Sequence, residues 1–320
     1  MRRTRRKGLH PVFIVMIVIL LVFILIVGGI LAYVYFQLRS TANNMYDAEF
    51  EGSQSNLRQA EVEISEGDPI SVVLFGTDDD QARNEDMRGR RSDTIMVVTL
   101  NPDTGEGNIV SIPRDTQAEI VGRDTVEKIN HSYAYGGPMM AKDTVENFLD
   151  VPIDYFVSIN MDGFTNIIDE VGGVSVTSED TFEQSKYSFQ AGETYEMDGD
   201  MALAFSRARY DPGSGGDSGR QQRQQQVVQS IADELMSVQT VTNFNSILDV
   251  LGENIRTNIQ FNEMNKLRST YQEPAQNLDR LLLDGYDERS QDDGLYYFFP
   301  DEASYNEVTS ELKGNLEIEE

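Results

Sequence analysis

Arg207, Arg209, Arg220 and Arg223 crowd into one short stretch of a chain whose formal charge is -28. A helix that starts at Asp217 or Ser218, both good N-caps, and runs through Met236 puts Arg220, Arg223 and Gln224 at the i, i+3, i+4 spacing of one face. That face continues into Val227, Val228, Ile231 and Leu235, so the cationic stripe leads into an apolar one and turns inward. Guanidinium groups on an inward face need anions, and a helix N-terminus beside them adds donors and positive potential. A phosphate meets both demands. Any one of these arginines is explained as readily by an ion pair with one of the 54 acidic side chains; the cluster is harder to explain that way.

Carboxylates form the second group. Asp78 and Asp93 are placed to share a hard divalent cation, since Mg2+ prefers oxygen ligands and often takes one or two carboxylates together with substrate phosphates. Asp79, Asp80 and Asp86 read as solvated loop residues. Cysteine is absent and only His10 and His131 supply imidazole, which leaves arginines and carboxylates for the chemistry. His131, alone in a helical pattern, reads as packing or capping.

The elements that position these groups follow from periodicity. Residues 70–75 are a short apolar strand, closed by Gly76, Thr77 and Asp78. Residues 94–100 and 108–112, joined by the turn residues 101–105, make a β-hairpin that brings Asp93 and Arg114 to the same end. Residues 126–135 suggest a short helix broken by Gly136 and Gly137, with Pro138 starting the next; 155–159 and 174–177 read as strands, 163–171 as a helix. Met201 to Arg207 form a short helix behind Asp198, followed by the glycine-rich loop 211–219, which either wraps an anion or stays mobile as a lid. Helices over 241–253 and 262–271, a strand from Gly294 to Pro300 and a polar C-terminal helix complete the chain. The expected class is α/β, a mixed central β-sheet flanked by helices.

The N-terminus is different. Residues 1–11 are a basic tail and residues 12–36 an uncharged apolar run long enough to span a bilayer, ending in an aromatic flank. The positive-inside rule then puts the tail in the cytoplasm and everything after residue 37 outside, a stalk over 37–68 and the domain over 69–320. The acidity of the chain argues against nucleic-acid binding, which needs a basic footprint.

In order, the stretches Leu74-Phe75-Gly76-Thr77-Asp78, Arg91-Ser92-Asp93-Thr94, Ile112-Pro113-Arg114-Asp115, Lys128-Ile129-Asn130-His131, Gly136-Gly137, Ser206-Arg207-Ala208-Arg209 and Asp217 to Gln225 resemble the LytR-CpsA-Psr family of Gram-positive bacteria. The resemblance implies a membrane-anchored, Mg2+-dependent phosphotransferase, with Mn2+ as a substitute. Such an enzyme moves a glycopolymer, teichoic acid or capsular polysaccharide, from a polyprenyl-pyrophosphate carrier to peptidoglycan through a phosphodiester. Carried over by motif, Asp78 and Asp93 hold the metal. Arg91, Arg114, Arg207, Arg209, Arg220, Arg223 and Gln224 grip the pyrophosphate, with Asp93, Arg114, Arg207 and Arg209 at the reacting centre. Asp93 and Asp115 both stand as candidates for the base, and Asp115 also as a structural ion-pair partner. The prenyl chain would need a channel between helices and sheet, for which Phe148, Phe156, Phe164, Ile168, Phe205, Val227 and Ile231 are candidates that core packing explains equally well. Two other readings stay open: a polyprenyl-pyrophosphate hydrolase using water as acceptor, and a non-catalytic envelope receptor or regulator. The sequence does not fix the glycan, the acceptor site or the oligomeric state.

Overall fold

Alternation decides the two faces of the first strand, β1 (Ile70–Thr77): Val73 and Phe75 point one way into the larger core, Val72 and Leu74 the other. The computed structural model describes residues 33, 35–37, 39–40, 55, 57–58, 62–64, 66–77, 91–237, 254–291 and 293–318. Asp78, Asp79, Asp80, Asp86, the helix expected over 241–253 and nearly all of the apolar run 12–36 lie outside these. No helix among the described residues is long and apolar enough to cross a membrane.

After β1 come β2 (Ser92–Asn101), β3 (Glu106–Ser111), the small hairpin β4 (Gln117–Ile120) and β5 (Thr125–Lys128), and helix α1 (His131–Leu149). Then follow β6 (Tyr155–Asn160), α2 (Met161–Val171), β7 (Val174–Thr177), β8 (Phe182–Gln184), β9 (Tyr187–Phe189) and β10 (Thr194–Met197). Helices α3 (Gly199–Arg207) and α4 (Gly216–Ser237) precede β11 (Ile255–Thr257), α5 (Phe261–Thr270) and α6 (Gln272–Gln276). The chain closes with β12 (Leu278–Leu281), β13 (Gly285–Arg289), β14 (Tyr296–Pro300) and α7 (Glu302–Asn315).

The main sheet has the order β11-β6-β1-β2-β3-β12 and is mixed: β1 pairs antiparallel to β2 and parallel to β6, and β12 runs parallel to β3. One face packs Val73, Phe75, Ile95, Val97 and Val110 against α1 and α7 through Val145, Leu149, Val308 and Leu312. The other face carries Leu74, Met96, Val98 and Ile109 toward α4. A separate cluster of Ile168, Val174, Phe182, Phe189 and Phe205 fixes α2 and α3 to the small strands β7 to β10. The expected α/β class is what folds.

Two expectations change. Residues 125–128 form β5, not the start of a helix, because Thr125 to Lys128 pair with Ile120 to Gln117; α1 begins only at His131 and kinks at Gly136 and Gly137, which leave helical geometry. The segment read as a stalk also contributes to the domain. Ile64 is buried with Ile70, Tyr155 and Tyr271. Arg58 donates from Nε and Nη2 to Oδ1 and Oδ2 of buried Asp154 at 2.9 and 2.7 Å. Ser71 adds its backbone N–H and hydroxyl to Oδ2 of the same carboxylate, at 2.9 and 3.0 Å.

Candidate functional site

The hairpin β2-β3 does what its register requires: Arg114, just past β3, donates from Nη1 to Asp93 Oδ1 at 2.7 Å. Burial works to lower the Arg114 pKa, but the hydrogen bond and charge of Asp93, with the charges of Asp115 and Asp217, outweigh it and raise the value. Asp115 is held by Lys128 Nζ at 2.6 Å and lies 3.7 Å from Arg114 Nε, the arrangement of a structural ion-pair partner.

The second half of the site comes from the loop after α3 and the first turns of α4. Arg220 Nη2 and Arg209 Nε lie 2.6 and 3.0 Å from Asp217 Oδ1. Neither aims an N–H along the contact, for Asp217 Oδ1 and Arg220 Nε are both buried without a hydrogen-bond partner. Charge proximity is present while directional bonding is left over. Burial pushes the Arg220 pKa down; Asp217 opposes this, Arg209 and Arg114 add to it, and Asp93 opposes it. Arg114, Arg209 and Arg220 line one cavity of about 200 Å3 together with Asp115, Asp217 and Tyr286. Three guanidinium groups share this cavity with four carboxylates, Asp115, Asp217, Asp284 and Asp287, and the fork geometry of the arginines suits phosphate oxygens.

Arg223, expected in the pyrophosphate set, is buried and engaged by the protein itself. Its guanidinium donates to the carbonyls of Phe205, Ala208 and Ser214 and to Asp180, and lies 4.6 Å from the Phe182 ring centroid. With all of its nitrogens engaged by the protein, it ties the loop 208–214 to α4 and positions Arg209. The helical spacing does turn Arg223 inward; what it meets there is three neutral carbonyls and the carboxylate of Asp180. This also decides the state of the glycine-rich loop, which is pinned instead of forming a free lid. A Cβ at Gly219 would collide with the Ser214 carbonyl, and Gly213 has φ +87° against the Thr181 carbonyl.

Arg207 ends α3 exposed, with no carboxylate paired to it among the described residues. It sits on the rim of an apolar cavity of about 340 Å3 between the second face of the sheet and helices α2, α3 and α4. Gln224 borders the same cavity and its amide reaches the Ser206 carbonyl at 3.4 Å. Arg91 is exposed immediately before β2. Asp78 lies outside the described residues, but Thr77 is the register partner of Ser92, so the chain leaves β1 beside the start of the Asp93 segment.

Of the channel candidates, Phe164 and Ile231 line the apolar cavity. Phe148 and Phe156 belong to the main core, and Ile168, Phe205 and Val227 to the cluster under α3. Leu74, Met96, Ile159, Leu203 and Val228 are walls that the sequence reading did not single out. Their signal was available in part: alternation puts Leu74 opposite Val73, and Gln224, Val228 and Ile231 follow helical spacing.

His131 Nδ1 lies 2.9 Å from Glu127 Oε2, which also accepts from the Tyr135 hydroxyl at 2.7 Å. The hydrogen bonds from His131 and then Tyr135 lower the Glu127 pKa from its ordinary 4.5. A depressed carboxylate contributes stability above the unfolded value that is lost as pH falls through the folded one. Glu127→Gln should therefore flatten the fall of the urea midpoint below about pH 4.5, while leaving the midpoint at pH 7 reduced.

The sequence matches the LytR_cpsA_psr family over residues 32–314. It is 42% identical over 286 residues to a polyisoprenyl-teichoic acid--peptidoglycan teichoic acid transferase TagU of Halalkalibacterium halodurans, covering 89% of this chain and 92% of that protein. It is 38% identical to the Bacillus subtilis TagU over 99% of this chain and 100% of that protein. The crystal structure of B. subtilis TagU superimposes with a TM-score of 0.62 over 79% of this chain and 99% of its own. The structure of TagT bound to LIIa-WTA, 30% identical, reaches 0.67 over 85% and 99%.

Proposed function

Because this chain belongs to the LytR_cpsA_psr family, we infer that it transfers a teichoic-acid-type glycopolymer from a polyisoprenyl carrier to peptidoglycan. The observation that carries this reading is the adjacency of two unlike cavities. The apolar one, about 340 Å3, suits a hydrocarbon chain, and the arginine-lined one, about 200 Å3, suits its pyrophosphate head. Gln224 lines the first and Arg220, one helical turn earlier, the second.

The chemistry follows. A peptidoglycan hydroxyl attacks the phosphorus next to the glycan, a P–O bond forms and the bridging P–O bond breaks. Prenyl phosphate leaves, and the hydroxyl proton passes to a base. Negative charge grows on the bridging and peripheral oxygens, where Arg114, oriented by Asp93, and Arg209 and Arg220, held near Asp217 by charge alone, can meet it. Arg207, on the rim of the apolar cavity and with no carboxylate paired to it among the described residues, would stand where the lipid meets its head group. Asp93 keeps one oxygen clear of Arg114, open to the proton or to a metal ion but not to both at once, while Asp115 is held by Lys128.

The donor set fits Mg2+ in the mode that uses few protein ligands. Asp93 has a carboxylate oxygen not taken by Arg114, and the segment after Thr77 that carries Asp78 starts next to it. Asp78 and Asp93 would hold the ion, which supplies charge neutralisation at the phosphates. The apolar run 12–36, with its basic flank, would anchor the enzyme with the catalytic domain outside the cell.

The test is mass spectrometry of the full chain in detergent, incubated with Mg2+, a lipid-pyrophosphate-linked glycan and a peptidoglycan oligomer. A glycan-phosphate-peptidoglycan adduct is expected. Free phosphoglycan formed equally well without acceptor would replace this reading with hydrolysis. Ala232→Trp, which fills the apolar cavity, should raise the KM for a long-chain donor at least tenfold and that for a short-chain donor far less; equal KM values would show that the lipid lies elsewhere.

A further inference from the structure

The outer flank of α4 carries a row of glutamines that the phosphate chemistry leaves unused. Gln221 and Leu283 stand on the wall of the arginine-lined cavity. One residue along each segment, Gln222 and Leu282 line a cavity of about 160 Å3. That cavity shares Gln225, Glu179 and Arg280 with a larger one of about 410 Å3, which continues past Gln226 and Gln229. From Gln221 to Gln229 the helix rises about 12 Å. The track therefore exceeds a single sugar ring and begins where the reacting phosphate would sit.

Its chemistry is neutral and rich in acceptors. The amide nitrogens of Gln221, Gln226 and Gln229 are engaged by Asp217 at 3.0 Å, Glu179 at 2.8 Å and the Ala275 carbonyl at 3.0 Å. The amide oxygens of Gln221 and Gln226 are buried and find no donor among the described residues. Arg280, the cation of the groove, is closed onto Glu179 at 2.7 Å, and Asp233 adds negative charge. Such a lining repels a polyphosphate and suits a chain of uncharged hydroxyl and acetamido groups. At the reactive end, the half-exposed ring of Tyr286, stacked on Phe299 at 5.8 Å, offers a flat apolar face beside Asp287.

We propose that this groove, running from Tyr286 and Gln221 to Gln226 and Gln229, binds the acceptor's glycan strand, a chain of N-acetylated amino sugars, and delivers its hydroxyl to the arginine-lined cavity. The proposal rests on the transferase reading and adds the acceptor subsite to it. The donor's phosphate-bearing polymer is the competing occupant, disfavoured by Glu179, Asp233 and the neutralised Arg280.

The experiment has two arms on the full chain in detergent. In the kinetic arm, the double variant Gln226→Ala/Gln229→Ala should raise the KM for a peptidoglycan oligomer by about tenfold, the scale of two neutral hydrogen bonds lost, and leave the KM for the lipid donor unchanged. Gln222→Trp, which fills the groove while removing no hydrogen bond described for Gln222, should act in the same direction at an unchanged melting temperature. A rise confined to the donor KM would assign the groove to the donor polymer, and no change in either would overturn the proposal. The second arm needs no turnover: saturation-transfer NMR with an N-acetylglucosamine tetramer should show binding to the wild type that Gln222→Trp abolishes. Binding without any transfer product would sink the transferase reading and keep the groove; transfer without such binding would do the reverse.

Discussion

Arg114→Ala lowers kcat for glycopolymer transfer by about 10²–10³-fold, the loss expected when one preorganised donor to a developing oxyanion is removed. Arg114 combines three properties that make it the most sensitive position. It joins the hairpin to the arginine cavity, it is oriented by Asp93 at 2.7 Å, and its raised pKa keeps it charged at every working pH. Arg114→Lys keeps the charge and loses the planar fork, so it should recover a minor part of the rate. Single-turnover rates with saturating lipid donor check this. Arg114→Ala turning over within threefold of the wild type would move the reacting centre away from this cavity. Since Arg114 is one-third exposed and the core does not depend on it, its melting temperature should stay close to that of the parent.

Arg58→Ala destabilises the domain by about 3–5 kcal/mol, because it strands Asp154 in the interior without its cation. Asp154 is nearly inaccessible, and both of its oxygens are committed to Arg58, with Ser71 adding two further hydrogen bonds. For a domain of this size the melting temperature should fall on the order of 10 °C. A fragment beginning at residue 61 should show the same loss relative to one beginning at residue 55. Equal denaturation midpoints for the two fragments would mean that the pair does not hold this segment. The consequence is geometric: Arg58 ties the segment before β1 to the sheet, so the part of residues 37–68 left to act as a stalk is shorter than the sequence suggests.

The sequence by itself determined the parts of this protein that depend on local pattern. Short apolar runs marked β1 and, joined by the turn residues 101–105, the β2-β3 hairpin, and with them the meeting of Asp93 and Arg114. Periodicity fixed α4, which starts at Gly216 and so takes the expected caps Asp217 and Ser218 into its first turn, and with it the inward face that carries Arg220 and Gln224. Ordered short motifs carry the family membership. What tertiary structure decided was which of several chemically suitable partners each group took. Arg220 and Arg223 are three residues apart and look equivalent in sequence, yet one lines the cavity with an unsatisfied Nε while the other is consumed by the carbonyls of the loop that folds back over it. Residues 125–128 had a helical reading until Gln117 to Ile120 supplied a pairing edge. Phe164 faces a cavity and Phe156 the solid core, a difference set by which neighbouring element arrives to fill the space. Local pattern is encoded in intervals of two, three and four residues; the partner of a buried charge or the presence of an empty volume is set by segments distant in sequence.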